Sequence, residues 1–362
     1  MVHQPPYNFS AGPAMLPVEV MQRAQSELID WQGRGISIME FSHRSKDFIA
    51  VAEQTERDLR ALMSIPDNYK VLFCAGGATF HFANIPMNLL STRAVYVNTG
   101  AWGAKAIKEA KKYGDISVID GLSEVDGKQQ ITEPKQWQLP EQFDYLHYTP
   151  NETISGIEFA EVPDVAKGKL VADMSSNILS QTINIEDFAV IYAGAQKNIG
   201  PSGLSIVIIR DDLLQREKPS FLPSLLNYQE LADKDSMSNT PPTFAWYLAG
   251  LVFDWIIKQG GVEEMARRAQ SRSQLLYDFI DGNNFYTNKV ADNSRSRMNV
   301  SFLLNDESAN SLFLQESSDR GLLYLKGHRS VGGMRASIYN AMPQQGVEAL
   351  TEFMADFANR RG

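Results

Sequence analysis

The chain predicts an α/β fold, with a large domain built on a mostly parallel sheet and a smaller α+β domain after it. Three observations carry this. Short apolar strands alternate with helical segments between about residues 69 and 209, the pattern of repeated βα units. Several of these strands are apolar at consecutive positions, as strands covered on both faces are. After Gly260-Gly261 the alternation stops and longer helices with a few strands follow. We place the boundary there, with 1–260 as the large domain, N-terminal arm included, and 261–362 as the small one.

The elements follow in order. An extended arm ends at Pro17, which opens a helix with Val20, Ala24, Leu28 and Trp31 along one face. A second helix spans 48–63. Strand 69–74 leads through a glycine turn to a helix reaching residue 90. Strand 94–98 leads to a helix over 102–113. Strands 116–119, 143–148, 170–172 and 190–192 continue the series, and 204–209 starts another. Thr240-Pro241-Pro242 begins the next helix, with Thr240 as N-cap and proline in the first turn. That helix is rich in aromatic residues, among them Phe244, Trp246, Tyr247, Phe253 and Trp255. The small domain has a helix over 262–280, strands 298–304 and 334–339, and a last helix. Val347, Leu350, Phe353, Met354 and Phe357 share one face of that helix.

Composition excludes some functions. The formal net charge of -9 offers no basic surplus to neutralise a nucleic-acid backbone, so no nucleic-acid partner is expected. A local cluster of arginines could still bind a small anion. Cys74 is the single cysteine, so no internal disulfide can form and a cytoplasmic location is expected. The start, Met1-Val2-His3-Gln4-Pro5-Pro6, has no basic segment and no apolar segment, so it does not read as a signal peptide. No uncharged apolar run approaches the ~18 residues of a membrane span, and no membrane association is expected.

Lys197 is the residue with the most chemical meaning. It follows the apolar run Ala189-Val190-Ile191-Tyr192-Ala193-Gly194-Ala195, and Asn198-Ile199-Gly200-Pro201-Ser202-Gly203 then turns the chain into the next strand. An amine held between two core strands is partly desolvated, which disfavours its charged form. Such a lysine can form a Schiff base with an aldehyde cofactor. The strand Leu170-Val171-Ala172 ends in Asp173. Pyridoxal phosphate needs this pair, a lysine for its aldehyde and an acid for its pyridine nitrogen. Taken alone, a lysine after a strand reads as a solvated loop residue and an acid there as a helix cap.

Other residues fit either of two readings. Cys74-Ala75-Gly76-Gly77-Ala78-Thr79 lies between a strand and a helix, where small residues let backbone N–H groups cradle an anion. Tight strand–helix packing explains the glycines equally well. Trp102 reads as core or as a stacking partner for a flat ring. Ser42-His43-Arg44 and Gly327-His328-Arg329, with Arg335 nearby, are solvated basic patches or anion sites.

Several segments together resemble the phosphoserine aminotransferases. They are Asn8-Phe9-Ser10-Ala11-Gly12-Pro13, Ser42-His43-Arg44, Asn151-Glu152-Thr153, Gly194-Ala195-Gln196-Lys197-Asn198, Asn239-Thr240-Pro241-Pro242 and Gly327-His328-Arg329-Ser330-Val331-Gly332-Gly333-Met334-Arg335. The likeness runs in order along nearly the whole chain. It implies a fold-type I pyridoxal-phosphate enzyme, with 1–260 as the cofactor-binding domain, working as a homodimer with shared active sites. Its substrates would be L-glutamate and 3-phosphohydroxypyruvate in serine biosynthesis, and in some members a phosphorylated hydroxy-threonine of pyridoxine biosynthesis. The resemblance gives Lys197 and Asp173 the catalytic roles. It sets Trp102 against the cofactor ring and Thr153 in contact with it. Ala78, Thr79 and Gln196, with Asn239 and Thr240 of the partner subunit, would hold the cofactor phosphate. His43, Arg44 and Arg335, with His328 and Arg329 of the partner subunit, would bind the substrate's anionic ends. No metal is implied. Two positions depart from the family. Thr79 stands where many members carry arginine, and Ala11 where others carry serine.

Three other functions fit the same scaffold. One is an alanine–glyoxylate-type aminotransferase. Another is a cysteine desulfurase, which needs a mobile cysteine where Cys74 ends a core strand. The third is a binding protein without catalysis.

Overall fold

Seven strands build the central sheet: β1 (Tyr69–Ala75), β2 (Arg93–Asn98), β3 (Asp115–Asp120), β4 (Leu146–Tyr148), β5 (Leu170–Asp173), β6 (Phe188–Gly194) and β7 (Leu204–Arg210). This computed structural model describes residues 6–361; residues 1–5, where no signal peptide was expected, lie outside the described residues. The spatial order is β1-β7-β6-β5-β4-β2-β3. β7 runs antiparallel to both neighbours, and the other pairs are parallel. The reversal has a simple cause. Residues 195–203 join β6 to β7, fewer than the dozen or so a parallel crossover needs. Lys197 sits in that short turn, so it is held at the sheet's edge.

Burial alternates between two faces, as a covered sheet requires. Val71, Phe73, Ile191, Ile206 and Ile208 pack with the helix Thr243–Lys258. Leu72, Tyr96, Val190, Tyr192 and Val207 pack on the other side with the helices His81–Leu89 and Ala101–Ala110. β5 and β6 are buried at every position.

The C-terminal part has its own core. Strands β8 (Tyr286–Thr287), β9 (Asn299–Leu304) and β10 (Met334–Ser337) form an antiparallel sheet. The helices Gly261–Asp281, Asn310–Asp319 and Gln344–Asn359 accompany it. Phe313 is fully buried among the rings of Tyr286, Phe302, Phe353 and Phe357, with Phe353 at 4.9 Å.

Two local expectations need correction. The first helix covers Val18–Ser26, so Leu28 and Trp31 lie beyond it. Gln32, at φ 50, sets a separate turn that still buries Trp31. Thr240 does not cap its helix, which starts at Thr243 with Pro242 at the cap and no side-chain cap bond. A residue before proline is biased to extended backbone, which keeps Thr240 out of the helix. The N-terminal arm touches both cores: Leu16 packs on the large one and Ala14 donates its N–H to the Gln196 carbonyl at 2.8 Å, while the arm's first described residues reach the C-terminal core. Tyr7–Asn8 pairs with Leu322–Leu323, Ser337 donates its N–H to the Phe9 carbonyl at 3.2 Å, and Phe9 is buried in the C-terminal core.

Phe313→Ala should cost about 3–5 kcal/mol in denaturant unfolding, the usual range for a buried phenylalanine. A loss under about 1 kcal/mol would mean this aromatic cluster does not anchor the C-terminal core.

Candidate active site

The carboxyl ends of the strands converge on one cavity of about 510 Å³. Ligands in open α/β sheets bind there. Each strand delivers a different group. β5 ends in Asp173, and β6 runs through Gly194 to Gln196 and Lys197. The turn after β1 brings Ala78 and Thr79, and the helix after β2 brings Trp102. The segment after β4 brings Thr149, Asn151 and Thr153.

Lys197 is the chemical centre. Burial lowers its amine to about 8, opposed by Asp173 and Glu152, which raise it. Its Nζ lies 5.7 Å from the Trp102 ring centroid. Asp173 is buried, and burial raises its carboxyl. The Ser175 hydroxyl and the Lys197 charge act the other way. Asp173 Oδ1 accepts from the Ser175 hydroxyl at 2.5 Å and the Ser175 N–H at 3.0 Å. Ser175 Oγ accepts in turn from the Gly194 N–H at 3.0 Å. The carboxylate is thus fixed to the strand that carries Lys197.

Trp102 is held at both ends. Its indole Nε1–H donates to Thr153 Oγ1 at 2.8 Å, and its backbone N–H donates to Glu152 Oε2 at 3.0 Å. Arg335 donates from Nη1 to the Thr153 carbonyl at 3.1 Å, and burial lowers its guanidinium. Arg335 therefore stands beside Trp102 and Lys197, a cation facing a cavity that also lacks bulk. Gly194 provides part of that room, since a Cβ there would lie 3.3 Å from the Ala78 nitrogen.

The cavity suits pyridoxal phosphate on its own terms. It offers a partly neutral amine, a fixed carboxylate, a flat indole and an opening beside the Ala78 turn. The buried Thr149 hydroxyl at its wall has no hydrogen-bond partner among the described residues.

The cavity gathers Ala78, Thr79, Trp102, Thr153, Asp173, Gln196, Lys197, His328 and Arg335. His328 lines it from the same chain, although the resemblance assigns this position to the partner subunit. Its Nδ1 lies 2.7 Å from Ser330 Oγ. Asn239, Thr240, His43, Arg44 and Arg329 do not line it. Arg44, Thr240, Asn239 and Arg329 are exposed, and His43 Nε2 is buried without a partner. Cys74 is buried outside the cavity, and burial pushes its thiol up to about 12. It is therefore no candidate for a desulfurase nucleophile.

Two residues escaped the sequence reading. Ser175 was visible only as part of Asp-Met-Ser-Ser after a strand. Glu152 stood only inside the segment Asn151-Glu152-Thr153, with no role of its own; it is buried, and burial pushes it up to about 7.

The chain resembles proteins of known kind over nearly all of its length. The family model described as aminotransferase class-V matches residues 6–350. A phosphoserine aminotransferase of Acinetobacter baumannii (strain ACICU) is 56% identical over 358 residues, covering 98% of this chain and 99% of that protein. The phosphoserine aminotransferase structure from Bacillus circulans subsp. alkalophilus aligns with a TM-score of 0.93 at 44% identity, covering 99% of both chains. A crystal structure of PLP-bound phosphoserine aminotransferase from Trichomonas vaginalis aligns with a TM-score of 0.91 at 39% identity, covering 97% of this chain and 99% of that one.

An amine lowered to about 8 is roughly one-tenth neutral at pH 7, far more than an ordinary lysine. In cofactor-free protein, acylation of Lys197 should therefore rise with a midpoint near pH 8, followed by mass spectrometry of the lysine peptide. A midpoint near 10.5 would show an amine in contact with water.

Proposed function

The chain belongs to the phosphoserine aminotransferases, within the class-V aminotransferases, and we propose from that premise how its residues divide the work. The enzyme moves an amino group between L-glutamate and 3-phosphohydroxypyruvate, giving O-phospho-L-serine and 2-oxoglutarate in serine biosynthesis. Its cofactor is pyridoxal 5'-phosphate. The observation that carries the reading is the convergence of Lys197, Asp173 and Trp102 on one cavity beside the Ala78 turn.

Bound there, the cofactor supplies an aldehyde for an amine and an electron sink for the charge left when the substrate's Cα proton departs. Lys197 provides the amine, and when free takes the proton from the Cα of glutamate in one half-reaction and delivers a proton to the Cα of the new phosphoserine in the other, with the amino group and the proton held on the cofactor between the two. A base with its pKa near the working pH is suited to both directions. Asp173, a carboxylate fixed by Ser175, would keep a positive charge on the ring nitrogen. Trp102 supplies one flat face, and Thr153 fixes the indole. Ala78, Thr79 and Gln196 hold the cofactor phosphate, as small residues before a helix can. Arg335 pairs with the substrate's α-carboxylate through its planar fork.

The remaining groups point to a homodimer with shared sites. Asn239, Thr240, His43, Arg44 and Arg329 do not line their own chain's cavity, so we propose that the partner's copies complete it. Phe80 and Leu225, both more than half exposed, lie beside Asn239 at the mouth of a second, smaller pocket. Apolar side chains clustered on a surface commonly mark a protein contact. We also propose a cytoplasmic location, from the lone buried thiol. Among the described residues no helix is long and apolar enough to cross a membrane.

The decisive assay compares 3-phosphohydroxypyruvate with unphosphorylated hydroxypyruvate, glutamate being the amino donor. Charge-assisted hydrogen bonds to the phosphate are worth about 1.5–3 kcal/mol each. Two such bonds should favour the phosphorylated acid in kcat/KM by roughly a hundredfold or more. A ratio near one would favour a general aminotransferase. Mixing inactive Lys197→Ala with inactive Arg329→Ala chains should also restore activity, because one site of each mixed dimer then carries neither change. Mixed dimers without activity would place the whole site within one chain.

A further inference from the structure

Glu152 lies under the start of the helix Ala101–Ala110 and is fully buried. Its carboxylate accepts from the Trp102 N–H at 3.0 Å and the Gly103 N–H at 2.7 Å. Gly100 makes this approach possible, since a Cβ there would lie 2.6 Å from Glu152 Cδ. Among the described residues no lysine or arginine forms an ion pair with Glu152. A buried carboxylate without a cation is costly unless N–H groups hold it. An exposed serine or aspartate could cap a helix without that cost. What Glu152 adds is a fixed, two-pronged hold on the first turn of the helix, at Trp102 and Gly103. Thr153, next in sequence, holds the indole of the same tryptophan at 2.8 Å.

We propose that Glu152 is a positioning residue: by gripping the Trp102 and Gly103 N–H groups it sets the plane of the indole that the cofactor ring meets. The inference rests on the reading that Trp102 stacks on the cofactor. Glutamine at this position has one amide oxygen, and its NH₂ would face one of the two N–H donors. One grip is then lost and the indole is free to tilt.

The test is a double-mutant cycle on the dissociation constant of pyridoxal 5'-phosphate, with near-ultraviolet circular dichroism of the cofactor-free proteins to follow the indole's surroundings. Glu152→Gln should weaken cofactor binding roughly tenfold, the size of one hydrogen bond to a charged group. Trp102→Ala should weaken it at least as much. The double variant should bind no more weakly than Trp102→Ala alone, because Glu152 acts through the ring that is gone. If Trp102→Ala binds as wild type, the stacking reading fails and the proposal fails with it. If Trp102→Ala weakens binding while Glu152→Gln does not, or if the two penalties multiply, stacking stands and the role of Glu152 is overturned. Should Glu152→Gln not fold, Glu152→Asp, charged but too short to reach both donors, decides the cycle by the same criteria.

Discussion

A lysine amine and an aspartate carboxylate, both buried, share one cavity, and the rest of the site is arranged around keeping them reactive. Burial alone would neutralise both groups. Lys197 is brought to about 8, low enough to act as a base and high enough to be charged when required. Asp173 is kept available by the two donations from Ser175, which in turn is tied to Gly194 on the neighbouring strand. The short reversal between β6 and β7 holds the lysine at the mouth of the sheet. A longer, parallel crossover there would leave it in a solvated loop, where its pKa and reach would be ordinary.

The anionic substrates pose a second constraint. A chain of net charge -9 repels dicarboxylates and phosphates at long range. Local cations must therefore do the recognition, and fixed arginines suit it because their charge persists through the pH range. Arg335 is joined to the Trp102 indole through Thr153, whose carbonyl accepts from the arginine and whose hydroxyl accepts from the indole. That continuity couples the position of the arginine to how the indole is held.

Much of this was legible in the sequence because the signals are local. Lys197 and Asp173 each follow an apolar run that can only be a buried strand, and the turn after Lys197 is too short for anything but a reversal. The losses were non-local. Tyr7–Asn8 pairs with Leu322–Leu323, a contact that no window along the chain contains, so the arm's bridge to the C-terminal core was not legible. Thr240 looked like a cap because threonine before proline resembles one, yet the two prolines delay the helix to Thr243. Glu152 carried no role in the sequence because its meaning depends on the segment after β4 passing beneath the helix after β2.

The central claim is that Lys197 is the cofactor's anchor in a pocket shaped by Asp173. The most direct measurement is borohydride reduction of the cofactor-loaded protein, followed by peptide mapping. The account predicts a single pyridoxyl modification, on Lys197, with loss of the yellow colour. A modification on another lysine, or no covalent adduct in a protein that still binds the cofactor, would contradict it.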